Sequence, residues 1–178
     1  MDWKERVRAE LEKAETCLVL GVGNAERGDD AAGPYAVRRL QARLRRNPCP
    51  GLLAVDGGAV PENATGTIRR FAPDVVLIVD AAVGRLPPGT IFLPPPEDIS
   101  DDTVSTHKIS LRHLIRYLRE DIGCRVLVIG VQPETLGRGD PVSAPVRRAV
   151  RALAGELERL LREKEGSRKS VPDKPPGS

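Results

Sequence analysis

Three short polar signals carry the groups in this chain that could do chemistry: Gly28-Asp29-Asp30, Asp80 at the end of Val75-Val76-Leu77-Ile78-Val79, and Thr106-His107. Two carboxylates and one imidazole, if brought together, make either a divalent-metal site with open positions or an acid–base pair that activates water. The residue types alone leave both open. Zinc, nickel, iron and manganese all accept such a donor set. Asp80 is the hardest of the three to read as structural, because a carboxylate that closes a Val/Ile/Leu strand is partly desolvated unless something compensates it. Asp29 and Asp30 precede a helix, where a carboxylate also serves as a capping acid; that structural role is the one expected of Asp29.

Other chemistries find less support. His113 lies between Arg112 and Arg116, opposite the apolar stripe of its helix, and reads as solvated, whereas His107 falls in the loop that leads to that helix. No G-x-S-x-G elbow occurs, and no histidine adjoins Cys17, Cys49 or Cys124. Cys17 and Cys124 open apolar runs and read as core thiols; Cys49, between Pro48 and Pro50, reads as exposed. The Gly21-Val22-Gly23 turn, with Asp56 as a ribose-binding acid, is a weak dinucleotide signal. The third glycine of G-x-G-x-x-G would fall on Glu26, a negative charge where pyrophosphate has to approach.

The elements that would position these groups alternate. Trp3, Val7, Leu11 and Ala14 mark an N-terminal amphipathic helix. Cys17 to Gly23 is a buried strand, followed by a helix from about Gly33 to Arg45. Leu52 to Val55 is a strand ending at Asp56-Gly57-Gly58, and a short helix spans about Asn63 to Phe71. Val75 to Val79 is a third strand. Ile91-Phe92-Leu93, stopped by three prolines, is an edge strand. A helix near Ser110 to Glu120, a strand from Arg125 to Gly130 and a long helix striped by Val146, Val150, Leu153, Leu157 and Leu161 complete the pattern. Strands this uniformly apolar predict an α/β fold, a three-layer sandwich in which a mostly parallel twisted sheet carries helices on both faces. Ligands of such sheets bind beyond the carboxyl ends of the strands, where Gly23-Asn24, Asp56-Gly57-Gly58, Asp80-Ala81 and Gln132-Pro133 all fall.

Length and composition narrow the class. The 178 residues suit one domain, read as 1–163, with a basic disordered tail over 164–178. A hydrophobic fraction of 40%, a charged fraction of 30% and no long apolar run point to a cytoplasmic protein without membrane insertion. A net charge of +3 with 3% aromatic residues argues against nucleic acid as a partner.

Leu18-Val19-Leu20-Gly21-Val22-Gly23-Asn24 followed by Gly28-Asp29-Asp30-Ala31-Ala32-Gly33-Pro34 resembles the hydrogenase maturation proteases, especially the type associated with the formate-hydrogenlyase hydrogenase. The likeness continues through Asp56-Gly57-Gly58-Ala59-Val60-Pro61-Glu62-Asn63, Leu77-Ile78-Val79-Asp80-Ala81, Ser105-Thr106-His107 and Ile129-Gly130-Val131-Gln132-Pro133, and covers roughly residues 17 to 161. The resemblance implies an endopeptidase, grouped with the aspartic type, that removes a C-terminal extension from the large-subunit precursor of a nickel–iron hydrogenase after nickel insertion. By motif, the family's metal-contacting positions fall on Asp30, Asp80 and His107. The nickel then belongs to the substrate and is touched in trans; no resident cofactor is implied, and a monomer is expected. Asp30 and Asp80 are the candidates for activating water. Glu26-Arg27 departs from the apolar residues frequent before the Gly-Asp-Asp motif. Two rival readings are a non-enzymatic module that recognises nickel-loaded precursor and a nucleotide- or cofactor-binding α/β enzyme.

Overall fold

The computed structural model describes residues 2–94 and 107–169, with the backbone alone at 107–110 and 165–169. Five strands, β1 (Cys17–Val22), β2 (Leu52–Gly58), β3 (Val75–Ala81), β4 (Ile91–Phe92) and β5 (Arg125–Val131), form one sheet in the order β2-β1-β3-β5-β4. The four long strands are parallel; β4 runs antiparallel to β5 at the edge, with Ile91 opposite Val131. The helices are α1 (Trp3–Glu12), α2 (Ala32–Arg46), α3 (Thr65–Phe71), α4 (His107–Tyr117) and α5 (Ala144–Lys169).

Period-two alternation divides the core. Val19, Leu77, Val79, Ile129 and Val131 face α1, α2 and α5, packing on Val7, Leu11, Val37, Leu40, Val150, Leu153 and Leu157. Leu18, Leu20, Val22, Val76, Ile78 and Val128 face the other way, onto Ile68 of α3, Leu111, Leu114 and Ile115 of α4, and Leu118 just after it. Both sheet faces are therefore covered, which is why the strands read as unbroken apolar runs. The chain leaves β1 toward β2 on one side and β3 toward β5 on the other. The strand order thus reverses between β1 and β3, and a crevice opens there at the carboxyl ends.

Two glycines let α2 approach that crevice. A Cβ on Gly33 would overlap the carbonyl oxygens of Val22 and Val79, and one on Gly21 would overlap the Gly33 carbonyl. The first turn of α2 therefore lies directly against the ends of β1 and β3.

Several boundaries differ from the sequence expectation. β2 runs through Gly58, because a bulge between Gly21 and Val22 shifts the register so that Gly58 pairs with Val22. β3 continues through Asp80, which sits opposite Gly130. α4, described from His107 to Tyr117, is already helical at His107, and the turn Leu118–Ile122 that follows is wound as a π-helix ending on left-handed Gly123. α5 remains helical to Lys169, beyond the expected boundary at 164. The turns leading up to that point are joined by pairs such as Arg162–Glu158 and Arg159–Glu163, which support helix on the flank opposite the buried Leu160 and Leu161. Cys49 is buried rather than exposed: Leu52 N–H donates to its carbonyl, and the turn folds the thiol onto the α2/α5 side of the core. Cys17 and Cys124 are buried as expected, and burial pushes the Cys17 thiol up to about 12. Among the described residues no helix is long and apolar enough to cross a membrane.

Candidate functional site

The loop after β1 turns at Gly23, whose φ of +135° and close contact with the Asp30 carbonyl exclude a side chain. It then forms a single 3-10 turn, Gly28–Ala31, before α2. Asp30 lies in that turn, half-buried. Its Oδ2 accepts the backbone N–H of Asn24 at 2.8 Å, so the carboxylate is held across the loop that carries it. The turn abuts β3 and stands at the N-terminal end of α2, the positive end of the helix dipole.

Asp80 is reached from the neighbouring strand. The alternation that sends Val76 and Ile78 to the α3/α4 face continues to Asp80, the next residue of that series, where burial falls from complete to partial. α4 covers the same face. The π-helical turn that continues it lies beside the amino end of β5, where Cys124 N–H donates to the Leu118 carbonyl, and the body of α4 touches the Pro61–Ala64 turn at the carboxyl end of β2. Its first residue, His107, therefore heads the helix at the carboxyl rim. Asp30 and Asp80 thus share the β1/β3 crevice, and the backbone sets His107 at the same edge of the sheet. His113 is exposed, as expected. Among the described residues no three His, Cys, Asp or Glu side chains form a group able to hold a metal ion.

Asp29 behaves differently from the capping acid expected of it. It is fully buried, and its two oxygens accept the backbone N–H groups of Glu134 (2.8 Å), Thr135 (3.2 Å) and Ser143 (2.6 Å), while its own N–H donates to the Thr135 carbonyl at 2.9 Å. The side chain fastens the loop after β5 to the loop after β1. Arg27 and Glu26 add to that junction, Arg27 donating to the Leu136 carbonyl and the Glu26 carbonyl accepting from Gly139 N–H.

Gln132, read only as part of a rim motif, supplies a second fastening. Buried at the end of β5, it accepts the N–H groups of Gly84 (2.8 Å) and Leu86 (3.2 Å) on Oε1, fixing the loop after β3. A buried amide after a strand was the available signal; its partners lie more than forty residues away in sequence and could not be read from it. Asp56, weighed as a ribose ligand, accepts Gly58 N–H on Oδ1 and pairs with Arg38 through Oδ2 at 3.0 Å. Those bonds engage both oxygens in holding the β2 turn.

Comparison with known proteins agrees with the fold. The family model described as "HycI: Hydrogenase maturation protease" matches residues 34–160, a span that begins after Asp30 and includes the positions of Asp80 and His107. The Hydrogenase 3 maturation protease of Escherichia coli K12 is 38% identical over 144 residues, 80% of this chain and 89% of the relative. The crystal structure of a NiFe hydrogenase maturation protease HycI from Thermococcus kodakarensis KOD1 superposes with a TM-score of 0.77 at 28% identity, covering 88% of this chain and 99% of that one. The hydrogenase maturating endopeptidase HybD from E. coli gives 0.65 at 27% identity, over 83% and 93% of the two chains. With a family model over most of its length, a curated relative this similar and the same α/β fold, the chain belongs to the hydrogenase maturation protease family.

Proposed function

We propose that this protein is an endopeptidase that removes a C-terminal extension from the large-subunit precursor of a nickel–iron hydrogenase after nickel insertion, and that Asp30, Asp80 and His107 touch the precursor's nickel in trans. The observation that carries this reading is the approach of the Asp30 turn to β3, which sets two carboxylates at one switch-point crevice under the helix headed by His107. Two carboxylate oxygens and one imidazole nitrogen leave positions open on a divalent ion, and thiolates of the precursor complete such a shell. The nickel, in this reading, belongs to the substrate.

In this reading nickel contact both checks that the precursor is loaded and orients its chain, so that the scissile bond lies over the rim; orientation of this kind removes much of the entropic part of a barrier. A water held by Asp30 or Asp80 gives a proton to the carboxylate as its oxygen attacks the scissile carbonyl. The same proton passes to the amide nitrogen as the C–N bond breaks. This is aspartic-type chemistry.

The test is mass spectrometry of purified precursor incubated with this protein, with nickel loaded and with nickel withheld. Loss of a C-terminal peptide from the loaded precursor only is the expected result. Equal cleavage of both forms contradicts nickel recognition, and tight binding without cleavage favours the recognition module over the peptidase.

A further inference from the structure

The described residues expose five large apolar side chains, and all five lie at the carboxyl ends of the strands: Tyr35 in the first turn of α2, Val60 after β2, Val83 and Leu86 after β3, and Leu136 after β5. Confinement of every such residue to the rim that carries Asp30 and Asp80 marks that rim as a surface built to meet another protein.

Within it, the loop after β3 is unusual. Arg85 is held in the left-handed region, φ +56°, which L side chains rarely adopt. The surrounding bonds impose it: Gln132 Oε1 takes the N–H groups of Gly84 and Leu86 on either side of Arg85, and Gly89 N–H donates to the Gln132 carbonyl at 2.8 Å. Ala82 N–H donates to the Val131 carbonyl at 3.0 Å. The loop is thus rigid, and glycine would fit position 85 with less strain. An exposed arginine stands there instead. Among the described residues its guanidinium has no hydrogen bond or ion pair, and it is flanked by Val83, 53% exposed, and Leu86, 38% exposed. Strain held in place by a dedicated clamp is characteristic of ligand-contacting positions.

We propose that the Val83–Leu86 loop is a docking element for the precursor, in which Arg85 pairs with an acidic side chain that the precursor carries beside apolar residues, the latter resting on Val83 and Leu86. A fixed cation between two apolar side chains complements a carboxylate so flanked. The loop begins directly after β3, so an occupant of the Asp80 crevice passes it. The proposal rests on the precursor being the substrate.

The experiment compares the full-length protein with Arg85→Gly and Arg85→Lys on nickel-loaded precursor, measuring KM, kcat and Tm. Arg85→Gly removes the guanidinium while relieving the backbone, so Tm is expected to hold or rise. KM is expected to rise about tenfold with kcat within about twofold, and Arg85→Lys to fall between the two. Added salt raises the wild-type KM and leaves that of Arg85→Gly nearly flat. An unchanged KM in Arg85→Gly, with wild-type cleavage intact, overturns the docking proposal and leaves the function standing. If the wild type binds precursor without cutting it, the peptidase reading falls and the dissociation constants of the same three proteins decide the docking. If it neither binds nor cuts, both readings fall together.

Discussion

Asp29 Oδ1 accepts the backbone N–H of Ser143 at 2.6 Å, joining two residues 114 positions apart. The same carboxylate takes Glu134 and Thr135 on its other oxygen, so one buried anion holds the loop after β5 against the turn that presents Asp30. Asp29→Asn keeps the shape but turns an NH2 group toward a backbone donor. The expected loss is roughly 2–3 kcal/mol of stability by urea unfolding, with a fall in cleavage even at temperatures where the variant remains folded. A variant as stable and as active as wild type would show that the staple is dispensable.

Gly33 allows α2 to touch β1 and β3. Gly33→Ala places a methyl group against two backbone carbonyls that cannot yield, and a cost of about 3 kcal/mol is expected, at the upper end of overpacking. Gly66, exposed in α3, is the internal control. A Cβ there would meet only the end of the Arg70 side chain at 3.9 Å, so Gly66→Ala is expected to stabilise by about 0.5–1 kcal/mol. Thermal melts of the two variants shifting in the same direction would contradict the packing described.

At the opposite end of the sheet, Asp74 Oδ2 accepts Glu15 N–H at 2.6 Å, Thr16 N–H at 2.8 Å and the Thr16 hydroxyl, while Thr16 Oγ1 accepts Asp74 N–H at 3.0 Å. The backbone N–H of Thr16, then that of Glu15, hold the Asp74 carboxyl below its ordinary value. A carboxyl lowered in the folded state contributes stability that is complete above its unfolded pKa, about 4, and is lost as pH falls through the lower folded value. Asp74→Asn is therefore expected to cost roughly 1–2 kcal/mol at pH 7. The gap from wild type narrows as pH drops below about 4. Urea titrations from pH 7 to pH 2 read this directly, and a gap that stays constant with pH would contradict it.

The sheet was legible because strands buried on both faces leave no ambiguity: Leu18 to Val22 and Val75 to Val79 are apolar on both alternating sets, and β4 announces its edge position through the prolines after Leu93. The rim at the carboxyl ends followed from the alternation of strands and helices, whereas the crevice between β1 and β3 needed the strand order; Asp80 stood out because it closes an apolar strand. Tertiary bonds were not legible. Asp29 and Asp30 are chemically identical neighbours, and only contacts with residues 134–143 separate the staple from the candidate site carboxylate. Cys49 looked exposed between two prolines because rigidity says nothing of direction. His107 looked like a loop residue because Ser110, a capping residue type, follows it just before the apolar stripe opens at Leu111, yet the chain is already helical at His107. Residues 95–106, including Ser105 and Thr106 of the third motif, lie outside the described residues.

The most direct test of the account replaces Asp30 and Asp80 one at a time by Asn, and His107 by Ala, and follows the mass of nickel-loaded precursor over time. Each variant is expected to keep the wild-type Tm within a few degrees and to lose cleavage by at least about a hundredfold. A folded Asp80→Asn variant that still removes the C-terminal extension at the wild-type rate would contradict the central claim.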